Sequence, residues 1–220
     1  MLYAARMTPA DEARTTGQSG LRERKKRETR VALSQAAIRL CVLHGWADVT
    51  VDQIAAEADV SVRTFRNYFS GKAEAIAAAH LERMLRIADD LLDRPAGEPL
   101  WDSLLHAVLG QFVPPESPAS RNAPQNERWR EGVRLMLAEP ALAGEIVKTN
   151  AAAQQELARA VAQRTGTDAE RDVYPKLVAA AVAAGTAVAV EHSLRADEAT
   201  PLGAVLAQVF EQLTAGLPVP

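Results

Sequence analysis

The sequence predicts an all-α protein, and three observations predict it. Alanine leads a composition that is 48% hydrophobic, and alanine has the most favourable intrinsic helix propensity. Valine, isoleucine and threonine are not gathered into the alternating runs that mark a half-buried strand. Apolar residues recur instead at helical spacing along most of the chain. At 220 residues, punctuated by 12 Gly and 12 Pro, the chain suits one large domain or a small one followed by a medium one.

Residues 1–20 are rich in Thr, Ala, Gly and Ser, lack a period, and read as a disordered arm. The first helix is expected from Leu21 to His44. Leu33, Ala37, Leu40, Cys41 and His44 share one stripe of it, and Gly45 ends it. Its first turns carry Arg22, Arg24, Lys25, Lys26, Arg27 and Arg30. Cations this close to a helix N-terminus would oppose the macrodipole at ~0.3–1 kcal/mol each, which suggests that they serve something outside the chain. Thr50-Val-Asp-Gln53 fits a capping box that opens a short second helix with Ile54, Ala55 and Ala58 inward. Asp59-Val60-Ser61 is a tight turn, and Ser61 caps a third helix, Val62 to Phe69. Ser70-Gly71 breaks the chain again, and Lys72 opens a long fourth helix to about Asp93.

Beyond the connection Arg94 to Pro99, a helix from Leu100 to Val113 places Leu104, Leu105, Val108, Leu109 and Phe112 inward. Residues 114–124 hold four prolines and read as a loop. Asn126 to Ala138 reads as helical, and Pro140 suits the first turn of a helix running to Thr165. A second capping box, Thr167-Asp-Ala-Glu170, is expected to open an Ala/Val-rich helix reaching Leu194. The last helix is expected from Pro201 to Ala215.

The net charge of −3 conceals an asymmetry. Residues 20–72 hold ten Lys/Arg against six Asp/Glu, net +4, whereas residues 73–220 hold thirteen against twenty, net −7. A basic N-terminal segment on an acidic body suits local phosphate binding without making the whole protein adhere to nucleic acid. Two short helices joined by a tight turn make a helix-turn-helix. Small Ala55 would let the second and third helices cross closely, with Val60 and Phe65 filling the gap between them. Arg63, Thr64, Arg66, Asn67 and Tyr68 are then left to meet bases and phosphates.

The stretch TVDQIAAEADVSVRTFRNYFSGK, Thr50 to Lys72, closely resembles the DNA-binding signature of the TetR family of transcriptional regulators. The matching residues are Thr50, Ile54-Ala55, Val60-Ser61, Thr64-Phe65, Tyr68-Phe69 and Lys72, preceded by a basic helix that ends in Gly45-Trp46. The likeness spans residues 22–76. Two departures stand out: Ser70-Gly71 replaces the family's common Pro-Ser or Lys-Asn, and Arg66 stands where an aromatic is frequent. Arg66 should alter which operator is read. The resemblance implies that Thr50 and Tyr68 bind backbone phosphates and that Lys72 clamps another. It implies that Val62, Arg63, Thr64 and Asn67 face the major groove, where Arg pairs with guanine and Asn with adenine. Arg22, Lys25 and Lys26 would meet phosphates or the flanking minor groove. The implied organisation is an arm over 1–20, a DNA-binding domain over 21–72, and a ligand-binding and dimerisation bundle over 73–220. The implied function is a repressor, bound as a homodimer to a palindromic operator of double-stranded DNA and released by a small-molecule effector.

A pocket between the C-terminal helices has Trp101, Leu105, Phe112, Trp129, Val133 and Met136 as candidate liners, though each taken singly reads more readily as an ordinary core residue. Arg134 to Leu142 resembles a C-terminal subgroup of the family that includes the mycofactocin-type regulators, which points to a fatty acyl or acyl-CoA effector. Arg121, Arg128 and Arg130 would then serve a CoA phosphate. For dimerisation, the apolar helix Tyr174 to Val190, with Leu202, Val205, Leu206, Val209, Phe210 and Leu213, suits a four-helix interface.

Other classes find little support in the residues. The single cysteine, Cys41, excludes an intrachain disulfide and a cysteine-rich metal site, and it reads as core filler. The four histidines are scattered, and no Glu-x-x-His, Gly-x-Ser-x-Gly or phosphate loop occurs, so no enzyme, metal or cofactor is expected. Asp102 and His106, four apart, read as a surface pair. No apolar run reaches the roughly 18 residues of a membrane span and no signal peptide precedes the helices, so a cytoplasmic protein is expected. A regulator switched by a protein partner or lacking an effector, and a helical small-molecule carrier, remain as alternatives.

Overall fold

The computed structural model describes residues 9–113, 130–135, 138–195 and 201–219. Its regular secondary structure over that range is all helical. The elements are α1 (Pro9–His44), α2 (Val51–Glu57), α3 (Val62–Tyr68), α4 (Lys72–Asp93), α5 (Leu100–Phe112), α6 (Pro140–Thr165), α7 (Val173–Arg195) and α8 (Leu202–Thr214). Residues 130–135 are helical as well. The loop expected over 114–124 lies outside the described residues.

Two expectations are corrected by these bounds. Helix α1 begins at Pro9, so residues 9–20 are helical rather than a disordered arm. Proline's fixed φ suits the first helical position. Arg22 to Arg30 therefore stand mid-helix, where the dipole penalty has died away. The second capping box also fails to form. Asp168 Oδ1 accepts from the Glu170 and Arg171 amides at 2.8 and 3.1 Å, making a turn, and α7 starts only at Val173. A helix opened at Asp168 would bury Pro175 in its interior, costing a hydrogen bond and a clash; starting at Val173 keeps Pro175 in the first turn.

The chain divides into two compact units, one ending at Ala75 and the other beginning at Ile76. The division falls inside α4 rather than at Lys72, because the first turn of α4 is tied to the preceding residues. Glu74 Oε2 accepts from the Ser70 amide at 2.7 Å, and Lys72 reaches the Val49 carbonyl at 2.8 Å. The first unit closes on Leu33, Ala37, Cys41, Ile54, Phe65 and Phe69, all buried.

In the second unit α6 packs on α7, and α8 packs on both α7 and α5. Its core runs through Leu91, Leu104, Val108, Val161, Val182 and Leu206. Arg164 of α6 fastens the α4–α5 connection, donating to the carbonyls of Leu91, Arg94, Pro95 and Glu98 and to Ser103 Oγ. Val205, Leu206 and Phe210 are buried in this core, with Leu202 and Val209 packed against it, so the part of the expected dimer face on α8 belongs to the chain's own interior. Helix α7 is long and apolar enough to cross a membrane by length and composition, contrary to the expectation from the shorter run inside it. Val178, Val182 and Ala189 bury one side of it against its neighbours, as in a core helix.

Candidate functional site

In the first unit, local chemistry sets each element of the helix-turn-helix. Thr50 is the N-cap of α2: its Oγ accepts from the Gln53 amide at 3.3 Å, and Gln53 Oε1 accepts from the Thr50 amide at 2.8 Å, the reciprocal box. At the far end, the Val60 amide donates to the Ala55 carbonyl and the Asp59 amide to the Ala56 carbonyl, with Asp59 at φ 53°. This is a Schellman motif with aspartate in the left-handed position that glycine usually takes. Ser61 caps α3, accepting from the Thr64 amide at 3.1 Å.

Helix α3 is two-faced. Phe65 is buried, with Phe69 beside it at 5.7 Å between ring centroids, and Val62 is half-buried. Arg63, Arg66 and Asn67 are exposed, and their i, i+3, i+4 spacing puts them on one face. No acidic side chain lies on this helix. Thr64 and Tyr68 flank the face, half-buried. On α1, Arg22, Lys25 and Lys26 are exposed.

Two basic residues hold the motif together from behind. The Arg30 guanidinium lies 4.6 Å from the centroid of Phe69 and donates to the Tyr68 carbonyl at 3.4 Å, pinning the end of α3 to α1. The Lys72 ammonium donates to the carbonyls of Trp46 and Val49 and sits 4.3 Å from the Trp46 ring centroid. The lysine expected to clamp a phosphate thus spends two of its three N–H donors on the α1–α2 connection. Cys41 is buried, and burial pushes its thiol pKa up, so it is core rather than a reactive thiolate.

In the second unit a cavity of about 230 Å³ lies among α4, α5, α6, α7 and the helical residues 130–135. Phe112 and Val133 line it as expected. Trp101 and Leu105 do not: both pack against the core, with Trp101 edge-on to Phe210 at 6.2 Å. Trp129 and Met136 lie outside the described residues, as do Arg121 and Arg128. Arg130 donates to the Ser193 carbonyl at 2.8 Å. The polar wall was not anticipated: His80, Arg83, Asn150, Gln154, Thr186 and Glu191. His80 Nε2 and Asn150 Oδ1 are 2.8 Å apart, and burial pushes the imidazole pKa down. Among the described residues no group of side chains is arranged to hold a metal ion.

Comparison with known proteins decides the family. Residues 33–79 match the model for bacterial regulatory proteins of the tetR family, and residues 98–218 match the MftR C-terminal domain. The regulator TcmR of Streptomyces glaucescens is 33% identical over 86% of this chain and 84% of its own. A protein named as the mycofactocin biosynthesis regulator MftR of Mycobacterium tuberculosis is 31% identical over 88% of this chain and 93% of its own.

The chain belongs to the TetR family.

It is a DNA-binding transcriptional regulator with an MftR-type C-terminal domain. The TetR fold extends to SmeT, repressor of a Stenotrophomonas maltophilia multidrug efflux pump, solved also as a triclosan complex. That complex superposes at a TM-score of 0.56 with 19% identity, over 88% of this chain and 98% of SmeT. Within this TetR regulator, the helix-turn-helix signal was strong because caps, turn and inner residues are contiguous. Arg83 and Thr186 carried no such signal: they are 103 positions apart and come to one cavity wall only through helix packing.

Proposed function

We propose that this TetR regulator represses transcription as a homodimer on a palindromic operator and is released when a small molecule fills the cavity of the second unit. One observation carries the reading: Arg63, Arg66 and Asn67 stand exposed on one face of a helix whose opposite face is anchored by Phe65 and Phe69. In this reading Arg63, Arg66 and Asn67 contact base edges, with Val62 and Thr64 supplying apolar and hydroxyl contacts beside them. Thr50 and Tyr68 meet phosphates flanking the groove. Arg22, Lys25 and Lys26 reach the backbone or minor groove alongside. Lys72 acts mainly as a positioning residue, since its ammonium already serves two carbonyls.

The cavity supports an effector, and SmeT with triclosan is a fold relative in which a small molecule is bound. Val173, Leu177 and Val188 are 76%, 62% and 59% exposed on one side of α7, with Tyr174 beside them, which supports a two-fold interface there. We place the protein in the cytoplasm and assign it no catalytic role.

Mobility shift of DNA flanking the gene, at two salt concentrations, tests the reading. Specific binding should fall steeply with salt. Arg63→Ala with Asn67→Ala should cost about 2–6 kcal/mol against the specific site if both contacts are bidentate, while leaving non-specific binding nearly unchanged. Failure to select any palindrome from random DNA would overturn it.

A further inference from the structure

We propose that the cavity of the second unit takes a compact apolar molecule bearing a carboxylate, with Arg83 as its charge partner and Thr186 as a hydrogen-bond donor. The inference rests on the cavity being the effector site and names the chemistry of what fills it.

Arg83 stands on the cavity wall, half-buried, its guanidinium 5.7 Å from the Phe112 ring centroid. A guanidinium carries five N–H donors, and among the described residues none of these meets a hydrogen-bond acceptor or a carboxylate. Among the described residues, the other half-buried arginines of this unit are all engaged. Arg94 holds Glu98, Arg130 holds the Ser193 carbonyl, and Arg164 holds four carbonyls and a hydroxyl. Among the described residues, Arg83 is therefore placed at the cavity without the internal partner its neighbours have. Burial, and then nearby Arg86, push its pKa below the ordinary arginine value, so an anion here would relieve a cost the fold already bears.

A second, independent group points the same way. Thr186, from α7, is 6% exposed and lines the cavity, and among the described residues its Oγ has no hydrogen-bond partner. A buried hydroxyl left unpaired is unusual in a folded protein, and a ligand oxygen would satisfy it. Among the described residues the one carboxylate on the wall, Glu191, is exposed and paired with Arg195. His80, kept toward its neutral form by burial, faces Asn150. The rest of the wall is largely apolar, including Met84, Ile87, Phe112, Ile146 and Leu157.

Size narrows the class further. At about 230 Å³ the cavity is smaller than the ~300–1,000 Å³ of drug-sized sites, which suits a compact acid. The apolar part lies among the aliphatic residues, and the carboxylate takes the bidentate geometry that guanidinium favours.

Calorimetry on the full-length protein with decanoic acid and 1-decanol, matched in chain length, tests this. We expect decanoate to bind at least tenfold tighter than decanol. Arg83→Met should abolish that preference while keeping decanol binding, and Thr186→Val should weaken decanoate severalfold. Equal affinity for the two in the wild-type protein would overturn the inference without any variant. So would undiminished decanoate binding by Arg83→Met. If neither binds, the inference falls, and a thermal-shift screen of neutral apolar compounds decides the rest. A hit there keeps the effector cavity and discards only the anion; none discards both.

Discussion

Asp59 occupies left-handed backbone at φ 53° between α2 and α3, a conformation that costs most L-residues ~1–2 kcal/mol and glycine almost nothing. Aspartate tolerates it better than most. Asp59→Val should therefore lower the stability of the protein by about 1–2 kcal/mol, whereas Asp59→Gly should hold it, measured by urea unfolding. Titratable residues make a second prediction. Glu98 accepts from Arg94 and from Ser103, which hold its carboxyl at about 2 instead of the ordinary 4.5. His80 is pushed below its ordinary 6.5 by burial. Both folded values are depressed, so each contribution is present above the unfolded value and lost as pH falls. Melting temperature should fall first as pH drops below about 6.5, as His80 is forced to charge, and again from about 4.5 towards 2 through Glu98. His80→Gln should flatten the upper limb only, and Glu98→Gln the lower.

Helices in this protein are decided at their ends more than along their lengths. The capping box at Thr50 and the cap at Ser61 form as their sequences require, because each involves residues three apart whose geometry the helix itself supplies. The box expected at Thr167 does not, because Pro175 forbids the helix that it would have opened. Packing between helices has its own requirement. A Cβ added to Gly185 of α7 would stand 2.9 Å from Val209 Cγ1 and 3.1 Å from Leu213 Cδ1 of α8. The two helices thus approach too closely there for a branched side chain. Gly185→Val should destabilise the second unit by about 1–3 kcal/mol through overpacking, read as a lower urea midpoint at unchanged m-value.

For the whole molecule, the exposed apolar stripe of α7 is what makes assembly testable. In the proposed homodimer, Leu177→Asp should shift the mass read by light scattering from dimer to monomer, because a carboxylate buried unpaired in an apolar interface is costly. Its melting curve should change little, since Leu177 is 62% exposed in the single chain. Operator affinity should fall tenfold or more, because two half-sites held together bind with an effective concentration that a monomer lacks.

The residues alone determined the all-α class, the helix-turn-helix and its family, and the bounds of α4 and α6. These rest on contiguous signals: caps, breakers and a stripe read within a few turns of one helix. What the tertiary structure decided involves residues distant in sequence. It showed Lys72 bracing the carbonyls of Trp46 and Val49, and it placed Val205, Leu206 and Phe210 in the chain's own core. It also replaced Trp101 and Leu105 in the cavity wall with Arg83 and Thr186. Helical periodicity says which side of a helix is apolar, but only packing says whether that side meets the chain itself, a second copy or a ligand.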